Sequence, residues 1–268
     1  MIKLKERFIL NFYRKLTTFN KIFFIFFLLI DILLFIIPAF QKDSLKFIFT
    51  PLSIITFLCS ISGILMAIYN AEATLQFFIW GLVNTATYVV ITYVASLYGQ
   101  VLVTTFAIVP VQIFGLYTWT KNSKTGNSDN TIQILKFTKK EWIYHLAFLI
   151  LGTIFYAIFL YKLPYIFETL FKIHINEDKQ IILDSINAIA TLLAMYTGAL
   201  RYVEQWYFWM IANTTGIIIF IVSAIISHSL SITSLSTAIM WLQLEINCFY
   251  GYFHWKKKIN NQLNPIIL

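Results

Sequence analysis

Three apolar stretches of this chain carry aromatic and primary-amide side chains at helical spacing, and a fourth holds a lone glutamine. Trp206, Trp209 and Asn213 stand at i, i+3 and i+7, and Trp80, Asn84 and Tyr88 at i, i+4 and i+8. Gln243, Asn247 and Tyr250 stand at i, i+4 and i+7, and Gln112 is the lone amide. Such spacing places each set on one helix face. Indole and phenol rings stack on flat ligands, and a primary amide offers both a donor and an acceptor. Indole faces also attract cations. The combination suits a flat aromatic ligand bearing hydroxyls, neutral or weakly charged. It suits a phosphate poorly, because no lysine or arginine lies within these stretches. A buried amide can also simply hold two membrane helices together, at about 0.6–2 kcal/mol per bond. For one amide the two roles weigh equally; for the set, a site or pore is the better reading.

These side chains need long apolar helices to position them, and the composition supplies little else. Of the 268 residues, 59% are hydrophobic and 12% charged, with a mean hydropathy of +0.75. A soluble domain carries about 25% charged residues. The polar surface is too small to coat a soluble enzyme, and the apolar content excludes disorder. The chain reads as an all-α integral membrane protein. Eight runs are long enough to cross a bilayer, at roughly 22–40, 47–69, 74–97, 101–119, 143–162, 181–200, 206–227 and 232–254. The net charge is +8. With the amino terminus inside, fifteen lysines and arginines fall on inner segments and five on outer ones. That bias sets both termini in the cytoplasm, in a cell (inner) membrane, and assigns the charge to topology instead of nucleic acid. The stretch 120–141 reads as a solvated linker. The connection 163–180, with Pro164, reads as an external loop.

Trp80-x-x-x-Asn84 in the third run is matched by Trp209-x-x-x-Asn213 in the seventh. Gly115-x-x-x-Trp119 ends the fourth, and Gly251-x-x-x-Trp255 ends the eighth. Two three-helix copies are therefore expected, over 47–119 and 181–258. Between them lies a linker unit, 120–180; an extra helix lies in 1–46, and 259–268 is a cytoplasmic tail. An odd linker span makes the copies parallel, as in some transporters. Trp119, Trp142 and Trp255, at run ends, read as interfacial belt residues. Pro110 should bend its helix beside Gln112. Arg201 and Glu204 can pair at i, i+3. Asp31 reads as a structural contact, and Glu245 is open between a protonated, a paired and a proton-coupling role. Cys59 and Cys248 read as buried apolar groups, and the four histidines have no metal-ligand spacing. No phosphate-loop or hydrolase motif occurs. Neither cofactor nor metal nor catalysis is expected, and the partners are a small molecule and the lipid bilayer.

The segment Arg201-Tyr-Val-Glu204-Gln-Trp206-Tyr-Phe-Trp209-Met-Ile-Ala-Asn213 resembles the Glu-x-Trp-x-x-Trp-x-x-x-Asn/Asp signature of the PnuC family of vitamin transporters. Phe78-Ile-Trp80-Gly81-Leu-Val-Asn84, the following Leu97-Tyr98, and the two Gly-x-x-x-Trp endings are similar to it as well. Leu97-Tyr98-Gly99-Gln100 departs from the usual Leu-Tyr-Ala-Asp-like stretch by losing its acid. The resemblance implies a three-plus-one-plus-three helix core, a homotrimer, and facilitated diffusion of an unphosphorylated vitamin, most often nicotinamide riboside. It implies that Trp206, Trp209 and Asn213 line the substrate site, with Asn84 their counterpart. Thiamine, riboflavin or a deoxynucleoside is the alternative cargo. A substrate-capture subunit of an ATP-driven transporter is a further alternative.

Overall fold

The structure, a computed structural model, describes residues 16–41, 49–95, 97–123, 132–227 and 232–263. The basic amino-terminal segment, residues 124–131 of the polar loop and the end of the tail lie outside the described residues. Among the described residues every regular element is a helix, apart from one isolated bridge between Leu135 and Tyr202. The helices are α1 (Thr18–Gln41), α2 (Pro51–Ala71), α3 (Gln76–Val94), α4 (Tyr98–Val103, Thr104–Ile108 and Val109–Ser123 in one rod), α5 (Lys139–Phe171), α6 (Ile181–Ala199), α7 (Gln205–Ser227) and α8 (Ile232–Leu263). Six of them, α1 to α6, are long and apolar enough to cross a membrane by length and composition.

Local chemistry fixes several boundaries. Thr50 caps α2, its hydroxyl accepting from Ser53 N at 3.2 Å, with Pro51 in the first turn. Thr138 and Glu141 form a reciprocal capping box that starts α5 at Lys139. That helix continues through Pro164 to Phe171, where Lys172 ends it in the left-handed conformation (φ 58°). Pro164 is therefore inside a 33-residue helix and not in a loop. At 1.5 Å per residue that helix is about 50 Å long, well beyond a bilayer core of about 30 Å. Pro110 acts through the turn before it. The middle of α4, Thr104–Ile108, is a π-turn, with Val109 N bonded to Thr104 O. The proline ring crowds the carbonyl four residues back, so the ladder widens there. The wide turn also keeps Gln100, Thr104, Ile108 and Gln112 on one wall.

The second half of the polar loop is not solvated. Ile132 and Ile134 are buried, and Leu135 exchanges backbone hydrogen bonds with Arg201 O (2.9 Å) and Val203 N (3.0 Å).

Two helix trios, α2–α4 and α6–α8, pack against each other reciprocally: α4 lies on α6, and α8 lies on α2. Their hydrogen bonds recur at a spacing of 128 residues. After α2, Ala73 N bonds Asn70 O (3.0 Å) and Thr74 N bonds Tyr69 O (3.1 Å), with Ala73 at φ 56°. After α6, Arg201 N bonds Gly198 O and Tyr202 N bonds Thr197 O (both 2.9 Å), with Arg201 at φ 70°. These are Schellman-type ends that satisfy the last carbonyls. α5 packs on α6, and α1 packs on α2 through Phe23, Phe27, Ile64 and Ile68 and on α8 through Phe19 stacked on Tyr250.

Candidate functional site

Two small cavities meet at Trp209, in the heart of the trios. The first, about 70 Å³, is walled by Asn84, Thr85 and Tyr88 of α3 and by Gln100, Thr104 and Gln112 of α4. Asn187 and Thr191 of α6, Trp209 of α7 and Trp241 of α8 complete it. The second, about 20 Å³, is walled by Asn70, Phe77, Trp206, Trp209, Asn213, Asn247 and Cys248. One water needs about 10–15 Å³ of such space, so a larger ligand fits only if the helices part.

Five of the amides in these walls have their NH₂ groups tied to the scaffold. Gln112 Nε2 donates to Thr85 Oγ1 (2.9 Å), Asn213 Nδ2 to Cys248 Sγ (3.1 Å), and Asn247 Nδ2 to Ala67 O (2.9 Å). Asn84 Nδ2 donates to Cys59 O (2.8 Å), and Asn187 Nδ2 to Ala212 O (2.7 Å). The amides therefore do hold helices together. Their oxygens do something else. Gln112 Oε1, Asn213 Oδ1, Asn247 Oδ1 and Asn70 Oδ1 are buried without a partner, as is the donor Trp206 Nε1. Each such group costs about 1–3 kcal/mol if left unmet. Three of the four oxygens, and Trp206 Nε1, belong to residues that line the second cavity. That array complements a ligand carrying NH₂ and hydroxyl groups.

Most of the residues singled out from the sequence come together here: Trp206, Trp209, Asn213, Asn84, Tyr88, Gln112 and Asn247 all line one cavity or both. Trp80 and Gln243 line neither. Trp80 is half-buried and packs against the core. Gln243 is fully buried with both amide atoms unpartnered. It lies near Gly63, whose Cβ would stand 3.3 Å from Asn84 Nδ2 and 3.7 Å from Gln243 Nε2. Asp31 and Glu245 line neither cavity; Thr214 Oγ1 donates weakly to Glu245 Oε1 at 3.5 Å.

The Trp-x-x-x-Asn match is one residue out of register with the structure. At the 128 spacing of the helix ends, Asn84 corresponds to Ala212 and Cys59 to Asn187. The bonds agree: Asn84 donates to Cys59 O, and Asn187 to Ala212 O, the same joint made from opposite sides. Thr85, not Asn84, then takes the place of Asn213. One residue turns a helix by about 100°, so Asn84 faces α2 where Asn213 faces α8.

Two of the three end tryptophans, Trp119 and Trp255, are not belt residues; Trp142 is partly exposed. Trp119 and Trp255 are fully buried. Trp119 Nε1 donates to Gly198 O (3.0 Å), and Trp255 Nε1 to Asn70 O (2.9 Å) and Ala71 O (3.1 Å). Each indole thus caps the last carbonyls of the first helix in the other trio. Trp255 stands edge-on to Trp206 at 5.9 Å, and Gly251 lets it do so: a Cβ there would lie 2.2 Å from Trp206 Cη2. Gly115 meets Phe78 in the same way, also at 2.2 Å.

Charged contacts gather at this end. Glu72 accepts from Asn20 Nδ2 (2.7 Å) and pairs with His254 Nε2 (3.3 Å) and Lys258 Nζ (3.7 Å). Burial works against the Glu72 carboxylate, but the His254 hydrogen bond and the Lys258 charge outweigh it and hold Glu72 below the usual carboxylate range. Arg201 and Glu204 form no ion pair among the described residues; Arg201 serves as a helix-end residue instead. Tyr202 donates to Glu141 Oε1 at 2.5 Å, which pushes its phenol up to about 12.

A third cavity, about 330 Å³, lies at the opposite end. Tyr98, Tyr156, Glu177, Asp178, Lys179 and Asp184 are among its lining, and Gln100 belongs both to it and to the first central cavity.

The sequence profile of the nicotinamide mononucleotide transporter family matches residues 53–257. This chain belongs to that family, the one its sequence motifs resemble. Among relatives, the nicotinamide riboside transporter PnuC of Neisseria mucosa is 25% identical over 219 residues, covering 81% of this chain and 77% of that protein. The nicotinamide riboside transporter PnuC of Haemophilus influenzae is 22% identical over 210 residues, covering 78% and 82%. A crystal structure of the vitamin B3 transporter PnuC shares the fold, with a TM-score of 0.70 at 23% identity over 91% of this chain and 93% of that one. The family match takes in all three cavities and leaves α1 outside it. It also makes this a multi-pass membrane transporter.

The sequence reading missed Asn187, Thr191, Gln100 and Asn70. Asn187 had a signal: it is an amide inside an apolar run, and it sits 128 residues after Cys59.

Proposed function

We propose that this chain is an inner-membrane uniporter that takes up unphosphorylated nicotinamide riboside by facilitated diffusion. The family name carries a phosphate and the relatives' names do not, so the site must decide. Among the described residues, neither central cavity is lined by a lysine or arginine. A phosphate brought there would lose its hydration with no charged partner, at a cost of several kcal/mol. That observation carries the riboside reading. Trp209 and Trp206 offer faces to the flat pyridinium ring, whose positive charge indole attracts. Asn70, Asn213 and Asn247, which line the second cavity, carry unpartnered acceptor oxygens for carboxamide and ribose donors. Among the described residues neither cavity is lined by an acid or a histidine, though Glu245 stands next to Asn213.

The eight helices cross the membrane with both termini cytoplasmic. The trios are parallel copies joined by α5, α1 is an addition, and three protomers assemble, each with its own path. The end bearing Gln100 then faces outward and the end bearing Trp255 inward. The small cavities support alternating access, in which the trios rock around Trp209.

Reconstituted protein tests this directly. Labelled nicotinamide riboside should accumulate to equilibrium without ATP or an ion gradient, and nicotinamide mononucleotide should neither enter nor compete. Uptake of the mononucleotide at a similar rate would overturn the riboside reading. Competition by thiamine, riboflavin or a deoxynucleoside, with nicotinamide riboside inert, would move the cargo to that class. Native mass spectrometry would test the trimer.

A further inference from the structure

We propose that Gln100 and Asp184 form the outer gate of the substrate path, and that Asp184 selects positively charged substrates there. The inference rests on the uptake reading above. Among the described residues Gln100 is the one common to the linings of the 330 Å³ vestibule and the 70 Å³ central cavity, which puts it at the partition between them. Its Nε2 donates to Asp184 Oδ1 across a distance of 3.3 Å. The bond joins the first turn of α4 to the first turn of α6, that is, one trio to the other. Both side chains are only half-buried, so water reaches the bond from the vestibule.

The surroundings are set up for a side-chain gate. Tyr156 OH donates to Gly99 O (2.8 Å) and pins the backbone beside Gln100. Directly inside Gln100 comes the π-turn, with Thr104 on the cavity wall. Gln100 can therefore swing without α4 moving, and the space it uncovers is the central cavity. The charge is one-sided as well: among the described residues the vestibule is lined by Glu177, Asp178 and Asp184 against Lys179. Asp178 stands next to Asp184. A cleft lined by one sign of charge concentrates the opposite ion and raises its capture by roughly tenfold or more.

The two properties meet at one oxygen. Asp184 holds Gln100 closed by accepting its N–H. A cation arriving at Asp184 competes for that acceptor and frees Gln100. A pyridinium riboside would therefore open its own way in, and a neutral analogue of the same size would not. Among the described residues neither central cavity is lined by a carboxylate, so Asp184 adds a charge selection ahead of the one the Trp209 ring face makes.

The full chain in proteoliposomes tests both halves. Uptake of nicotinamide riboside, a cation, is compared with uptake of its neutral 1,4-dihydro form. Wild type should prefer the cation by roughly tenfold, and the preference should shrink with added salt. Asp184→Asn should cut the cation-to-neutral preference several-fold by raising KM for the cation, and Asp184→Glu should restore it. An unchanged cation-to-neutral ratio in Asp184→Asn would overturn the charge role. For the gate, Thr104→Cys is labelled from outside by a charged thiol reagent, against a background given by the buried Cys59 and Cys248. Gln100→Ala should speed that labelling several-fold, and an unchanged rate would overturn the gate. If wild type transports neither riboside form, the uptake reading itself fails and this proposal falls with it.

Discussion

The two ends of the proposed path are closed by very different means. At the outer end a single 3.3 Å hydrogen bond, between half-buried side chains, separates a wide vestibule from the central cavity. At the inner end Trp119, Trp206 and Trp255 are fully buried. Two indole N–H groups bond across the trios to helix-end carbonyls, and Glu72 draws α1 and α8 together. One closure exchanges easily with water. The other must give up dry aromatic contacts and leave carbonyls to be rehydrated. On the proposed orientation the Gln100 end opens first, and opening the Trp255 end needs a larger input, which ligand binding at Trp209 is placed to supply. Trp209 walls both cavities and touches α7's first turn through Gln205 Oε1 (3.3 Å). A ligand stacked on it presses on the inner closure.

The largest effect should follow from removing the shared wall. Trp209→Ala joins the two cavities and removes the stacking face, so uptake should fall by at least about two orders of magnitude; the stability cost is about 3–5 kcal/mol. Trp209→Phe keeps a ring and should retain measurable uptake with a raised KM. Near-normal transport by Trp209→Ala would break the view that both closures act through this residue. Next come the close approaches. Gly251→Ala drives a methyl to within 2.2 Å of Trp206, and Gly115→Ala does the same to Phe78. Each should cost about 1–3 kcal/mol in thermal melts. Similar losses would support equivalent trios; a loss in one alone would say that the inner closure is built on one side.

The sequence reached this site unevenly, for physical reasons. Trp206, Trp209 and Asn213 were legible because one helix face carries them all, and helical spacing is a local signal. The wall from α6 was not, because Asn187 and Thr191 stand among apolar neighbours with no aromatic to mark the face. The ends of α4 and α8 were seen as a repeat but misread. A tryptophan at a membrane helix end normally meets lipid headgroups, and nothing local tells that Trp255 meets the end of α2, 184 residues away. The Trp-x-x-x-Asn pair shows the opposite hazard. Two true features of the sequence matched one residue out of register, and 100° of rotation sent Asn84 to a structural joint. Helix lengths were also short at α5, where a capping box and a proline tolerated mid-helix extend it past the apolar run.

The inner closure can be tested more finely through its indole bonds. Trp255→Phe keeps most of the ring but strands Ala71 O, while Asn70 O keeps its bond from Ala73 N; Trp119→Phe strands none, because Gly198 O keeps its bond from Arg201 N. Unmet carbonyls cost about 1–3 kcal/mol each, so Trp255→Phe should lower the melting temperature more than Trp119→Phe. Both should raise the rate of exchange across the membrane while leaving riboside affinity intact. Equal melting temperatures for the two would remove the asymmetry between single and double capping.

The smallest expected effect concerns Glu72 and acid. Its folded-state carboxyl is held below the usual range, so its contribution is present above the unfolded value of about 4.3 and is lost as pH falls through the lower folded value. Stability of the wild type should therefore drop on acidification below about pH 4, and part of that drop should vanish in Glu72→Gln. The outer gate has no link to His254 or Lys258, so cation preference at Asp184 should be the same in Glu72→Gln as in wild type. A Glu72→Gln protein whose cation preference changed would mean that the two ends are coupled directly, and the contrast between a light outer closure and a heavy inner one would have to be given up.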